Sequence, residues 1–91
     1  MTSISRIGDA FVHHGEGGGT IVEGSPTVLE RSTGRGLARI GDKAVCSIHG
    51  AVAVGTGSLR VRANGIGVAR IGDKTTCGGT IITGSSIIFE R

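Results

Sequence analysis

Apolar residues in this chain come in short runs broken by glycine. Thr20-Ile21-Val22, Ala51-Val52-Ala53-Val54 and Ser86-Ile87-Ile88-Phe89 are rich in β-branched side chains and predict short strands. No glycine-free stretch exceeds nine residues, and the one that reaches nine contains Pro26. A glycine inside a helix costs about 1 kcal/mol relative to alanine, so long helices are excluded. Leu59-Arg60-Val61-Arg62 alternates apolar and basic residues, the period of a half-exposed strand. Asn64-Gly65 predicts a tight hairpin turn, because both residues tolerate positive φ. The pattern predicts an all-β chain of short strands joined by glycine turns, about three hairpins in all.

The pattern also repeats. Arg-Ile-Gly-Asp occurs at Arg6–Asp9, Arg39–Asp42 and Arg70–Asp73. A Gly-Ser pair follows each motif, at Gly24-Ser25, Gly57-Ser58 and Gly84-Ser85. Gly18-Gly19-Thr20-Ile21 in the first unit matches Gly78-Gly79-Thr80-Ile81 in the third. The chain reads as a single domain over residues 1–91, built from three repeats at approximately 4–35, 36–66 and 67–91. A linear stack of three such units would leave two raw ends. Closure about a pseudo-threefold axis suits three near-equal units better.

Composition changes the picture by showing what the core lacks. The 91 residues include 18 glycines, no Trp, no Tyr, and only Phe11 and Phe89 as aromatics. So thin a core calls for a staple. The repeat supplies one. Four residues past each motif Asp stand His13, Cys46 and Cys77, so three soft metal ligands share one register. Cys46-Ser47-Ile48-His49 adds a fourth ligand, His49. Two Cys and two His form a tetrahedral set suited to Zn2+, one ion per chain, with no open position for catalysis. His14, adjacent to His13, is an alternative ligand. Glu16, at the register of His49, is a weaker one. Cys46 and Cys77 also fit buried thiols, and a reducing compartment argues for metal or thiol before disulfide.

Other chemistries find less support. The net charge of +3 is spread singly along the chain, and aromatics for stacking on bases are missing, so no nucleic acid is expected as a partner. Asp9, Asp42 and Asp73 read as turn residues that accept backbone N–H groups and pair with the motif arginines. No Gly-Lys-Ser/Thr follows the glycine runs, and nothing orients a base onto a serine. No apolar stretch approaches the ~20 residues of a membrane span. The segment Met1–Arg6 lacks a signal-peptide core, so synthesis in the cytoplasm is expected.

The tripled Arg-Ile-Gly-Asp, the segments Gly36-Leu37-Ala38-Arg39 and Gly67-Val68-Ala69-Arg70, and the run from Cys77 to Ser85 resemble the PAAR-repeat family, over Ile4 to Phe89. The resemblance implies a short cone of β-hairpins with pseudo-threefold symmetry, zinc-stapled near its point. It implies a structural spike tip, not an enzyme. Such a tip caps and sharpens the trimeric β-helical spike of a type VI secretion system or contractile phage tail and aids membrane piercing. The implied partner is that spike. The three like units predict one tip chain per trimer, and the apolar run Ile87-Ile88-Phe89 predicts a contact that is mainly apolar and little affected by salt. Effector cargo and transient contact with a target membrane are implied too. The tip would be assembled on the injection apparatus and delivered outside the cell or into the target envelope. The Pro-Ala-Ala-Arg tetrapeptide itself is absent, and family sites are often His-rich with one Cys, so the fourth ligand stays open. Zinc and iron both remain candidates. The alternative readings are a small zinc-dependent nucleic-acid-binding module and a metallohydrolase.

Overall fold

A computed structural model describes residues 2–13 and 17–90. Among these residues are nine short strands and no helix: β1 (Thr2–Ser3), β2 (Ala10–Val12), β3 (Gly18–Ile21), β4 (Lys43–Cys46), β5 (Gly50–Ala53), β6 (Arg62–Ala63), β7 (Ile66–Gly67), β8 (Thr80–Ile81) and β9 (Phe89–Glu90). A five-stranded antiparallel sheet runs in the order β5-β4-β3-β2-β8, and two small pairs, β1-β9 and β6-β7, lie apart from it.

The local rules of the repeat are visible three times. In each motif the glycine has positive φ, at Gly8 (93°), Gly41 (90°) and Gly72 (95°), a conformation that L side chains rarely adopt. The following aspartate folds back onto its own motif. Asp9, Asp42 and Asp73 each accept the backbone N–H of the motif Arg at 2.6–2.8 Å and a two-pronged contact from its guanidinium. The expected turn role of these acids is what the structure contains.

The three units close on themselves. Ser5 N–H donates to Ala69 O at 2.9 Å, Ala69 N–H to Ala38 O at 2.8 Å, and Ala38 N–H to Ser5 O at 2.9 Å. These three residues are fully buried, so the ring of hydrogen bonds marks an axis through the core. Bridges between Arg6 and Leu37, Arg39 and Val68, and Ile4 and Arg70 repeat the same step from unit to unit and back to the first. The large sheet closes as well, through a Val54–Thr75 bridge and the Gly55 N–H bond to Lys74 O. A linear stack has no such return contact.

The core is layered along this axis. Ile4, Leu37 and Val68 occupy equivalent positions on one side of the hydrogen-bond ring. Ile21, Val54 and Ile81 lie on the other side, followed by Phe11, Ala44 and Thr75, all nearly fully buried. This last layer mixes one large side chain with two small ones. Phe11 fills it by lying over Gly19 and Gly79, where an added Cβ would come within 2.7 and 2.6 Å of ring carbons. The shared Gly-Gly-Thr-Ile of units one and three therefore makes room for a ring supplied once.

Two predicted strands are shorter than expected. Leu59–Val61 does not extend, and only Arg62–Ala63 is strand. The cause is Ser58, whose hydroxyl accepts the N–H groups of Arg60 and Val61 at 3.0 and 2.8 Å and curls the chain. Ser85 does the same to Ile87 and Ile88, leaving Phe89–Glu90 as the strand. Ser25 forms the third copy, with Thr27 and Val28. The Asn64-Gly65 hairpin is present, joining β6 to β7 with φ of 55° and 78°.

Candidate metal centre

Beyond the Phe11 layer the repeat places His13, Cys46 and Cys77, each two residues further along its strand or turn. The alternation of a strand returns side chain i+2 to the same face, so a buried i forces i+2 toward the axis. Cys46 ends β4 and is buried. His13 follows β2, its N–H bonded to Gly17 O. Cys77 sits in the tight turn between Thr75 and Gly79. His49 comes from the three-residue turn that pairs Cys46 with Gly50.

The ligand atoms of His13, Cys46, His49 and Cys77 all lie within 4.8 Å of one another. Cys46 Sγ is 3.6 Å from His49 Nδ1, and the His13 and His49 rings are tilted at 35° with centroids 4.8 Å apart. Zinc–sulfur and zinc–nitrogen bonds place tetrahedral donors roughly 3.3–3.8 Å apart. The four donors fit that geometry after a contraction of about 1 Å at the widest pair. His14 and Glu16, the other candidates, lie outside the described residues.

Local electrostatics favour the thiolate that a metal needs. The backbone N–H of His49 points at Cys46 sulfur and lowers its pKa to about 6, outweighing burial; the Ile48 N–H adds to the effect. Thr75 Oγ1 stands 3.1 Å from Cys77 Sγ and also accepts the Gly79 N–H at 3.0 Å, fixing the turn that presents the second sulfur. These supporting groups are ones the spacing argument did not find.

A second set of polar groups escaped the sequence reading altogether. Glu30 is fully buried and accepts Arg6 Nη1 at 2.7 Å, the Thr33 hydroxyl, and the hydroxyl of Ser85 from another repeat. Glu90 likewise takes Arg70 Nη1 at 2.6 Å and the Ser58 hydroxyl. The third copy uses an amide: Asn64 Oδ1 accepts Ser25 Oγ at 2.5 Å and Arg39 Nη1 at 3.2 Å. Each clamp thus ties one repeat to the serine of another. The signal was present in the equal offsets Ser25 to Glu30 and Ser85 to Glu90; Ala63 at the same offset in the middle repeat hid it.

Fold and site together define a class: a threefold pseudosymmetric all-β repeat protein whose His/Cys cluster can hold a metal ion. The family described as "PAAR motif" matches residues 6–83, and the chain belongs to it. The family is structural rather than catalytic, with a spike-tip type of role in type VI secretion or phage machinery. No curated protein matches the chain.

Proposed function

We propose that this protein is the zinc-stapled tip that caps and sharpens the trimeric β-helical spike of a contractile injection machine. The observation that carries the reading is the closed ring of Ser5, Ala38 and Ala69. One chain with three like sides matches the threefold end of a trimer without two further copies. The His13–Cys46–His49–Cys77 cluster would hold one zinc and staple the three hairpins where the apolar core runs out. Bound there, the ion supplies folding free energy, and a four-ligand shell leaves no position for chemistry.

The opposite side of the ring suits attachment. Leu37 N–H bonds Val28 O, Val68 N–H bonds Val61 O, and Ile4 N–H bonds Ile88 O, so these three loops lie away from the metal cluster. Beside them Leu29, Leu59, Ile66, Ile87 and Phe89 are exposed, Leu59 by 86%. Apolar side chains are exposed elsewhere too, at Val22, Val45 and Ile48, but the two most exposed large ones, Leu59 and Ile87, belong to these loops, which supports reading this end as the covered face. On this reading the tip is made in the cytoplasm, seated on the spike and carried out with it, meeting the target membrane only in passing.

Two measurements test this. Elemental analysis of protein purified without added metal is expected to give one zinc per chain, and a folded protein with almost none would remove the staple. Light scattering of the tip mixed with the spike trimer encoded in the same genome is expected to give one tip per trimer. Three tips per trimer would reject symmetry matching even if binding were tight.

A further inference from the structure

The end of the molecule opposite the metal cluster has a feature that apolar docking does not explain. The loops that build it are the segments 25–37, 58–68 and 84–90, with β1 alongside. Their acids are Glu30 and Glu90, which are 0% and 6% exposed and are consumed in the clamps with Arg6 and Arg70. Of their cations, Arg35 is half-buried and lies against Gly8. Arg31, Arg60 and Arg62 are all exposed. Arg60 feels the charge of Glu90, whereas Arg31 stands in the turn after Glu30 and Arg62 opens strand β6. Among the described residues of these three segments, arginines are exposed and no carboxylate is; the exposed acid nearest in sequence, Glu23, accepts the Lys43 N–H of the large sheet at 3.1 Å.

The repeat shows that the charge is not required by the fold. Leu29, Arg62 and Phe89 hold one register, each paired with Gly36, Gly67 and Ser3 respectively, and each followed by a buried residue. The same exposed position accepts leucine, arginine or phenylalanine without changing the fold. Arg62 holds the position that the other two units give to an apolar residue. A threefold partner presents identical sockets to all three. A socket that receives both Phe89 and Arg62 must be apolar along its wall, where the arginine stem lies, and acidic at its lip, where the guanidinium ends.

We infer that the surface this end docks on is an apolar, carboxylate-rimmed threefold end of the spike trimer, and that Arg31 and Arg62 steer and orient the tip onto it. The inference rests on the spike-tip reading and names the chemistry of its partner. It revises the expectation of a contact indifferent to salt. Charges at the rim of an interface act mainly on the rate of association, which falls as salt screens them.

The experiment uses the full chain, metal-loaded, and the purified spike trimer of the same genome in stopped-flow or surface-binding kinetics. The association rate is expected to fall about tenfold between roughly 50 and 500 mM salt, and the dissociation rate to change little. The double variant Arg31→Glu/Arg62→Glu is expected to lose about tenfold in association rate at low salt and to lose the salt dependence, with an unchanged melting temperature. Replacing carboxylates at the trimer's end by lysine should restore binding of that variant. Wild-type binding at a rate untouched by salt or by the double variant overturns the inference while leaving the spike-tip reading standing. Failure of the wild type to bind the trimer at all sinks both. Tight, arginine-dependent binding of a short duplex DNA in the same assay would assign the rim to nucleic acid and overturn the inference as well.

Discussion

Phe11 is the most demanding residue in the fold, and replacing it by alanine tests the layered core directly. The ring is 1% exposed and shares its layer with Ala44 and Thr75. Neither neighbour can expand into the space, and Gly19 and Gly79 beneath the ring have no side chain to move. A phenylalanine-to-alanine change in a core costs about 3–5 kcal/mol, the upper end where the site cannot collapse. For a domain of this size each kcal/mol lowers Tm by roughly 4–8 °C, so a drop of about 15 °C or more is expected. Urea unfolding for the free energy and a thermal melt for Tm, both at saturating, fixed zinc, are the assays, because free metal shifts apparent stability. The sharper test is a double-mutant cycle. At Gly79 an added methyl meets Phe11 Cδ2 at 2.6 Å and Thr75 Oγ1 at 2.8 Å, whereas at Gly19 it collides with the backbone carbonyl of Val45 as well as with the ring. Gly79→Ala is therefore expected to be much better tolerated with Phe11→Ala than alone, with a coupling of about 1 kcal/mol or more. Gly19→Ala should stay damaging in both backgrounds. A cost for Phe11→Ala below about 1 kcal/mol, or equal rescue at both glycines, would refute the packing argument.

The metal register predicts that Cys46→Ser, Cys77→Ser and His13→Ala each lower zinc content and stability, whereas His14→Ala leaves both unchanged; the reverse outcome for the two histidines moves the ligand to His14. Glu30 predicts an acid limb. Burial works against its charge, but hydrogen bonds from Ser85, Thr33 and Arg6 prevail and hold it at about 2, below the ordinary 4.5. A folded-state pKa below the unfolded one adds stability above pH 4.5 that is lost as pH falls toward 2. The stability gap between wild type and Glu30→Gln should accordingly shrink across that window, and a gap constant with pH would contradict the assignment. Asn64→Asp places a carboxylate beside Ser25 and the 15%-exposed Arg39; the Asn64 Nδ2 donation to Thr27 Oγ1 at 2.8 Å is replaced by donation from the Thr27 hydroxyl, and stability should rise by about 0.5 kcal/mol at neutral pH. Thermal melts check this, and a loss comparable to that of Asn64→Ala would show that the clamp needs the amide.

Much of this protein is legible in its sequence because its determinants are local. Positive φ at Gly8, Gly41 and Gly72, the Arg–Asp fold-back three residues apart, and the Asn64-Gly65 turn each depend on a few consecutive residues. Repetition then carries local facts to long range: because the units share a register, His13, Cys46 and Cys77 could be set together before any fold was drawn, and the structure gathers them with His49. Tertiary structure alone decided the rest. Closure depends on the third unit returning to the first, through Ala69 and Ser5, which are distant in the chain. Glu30 becomes a buried clamp only because Ser85, 55 residues away, arrives beside it. A charge can be buried when partners outweigh its lost hydration, and those partners belong to other repeats, so no periodicity within one unit announces them. Phe11 is likewise a single departure from the repeat, made possible by two glycines from two different units; volume is conserved across a layer, and layers exist only after the chain has closed.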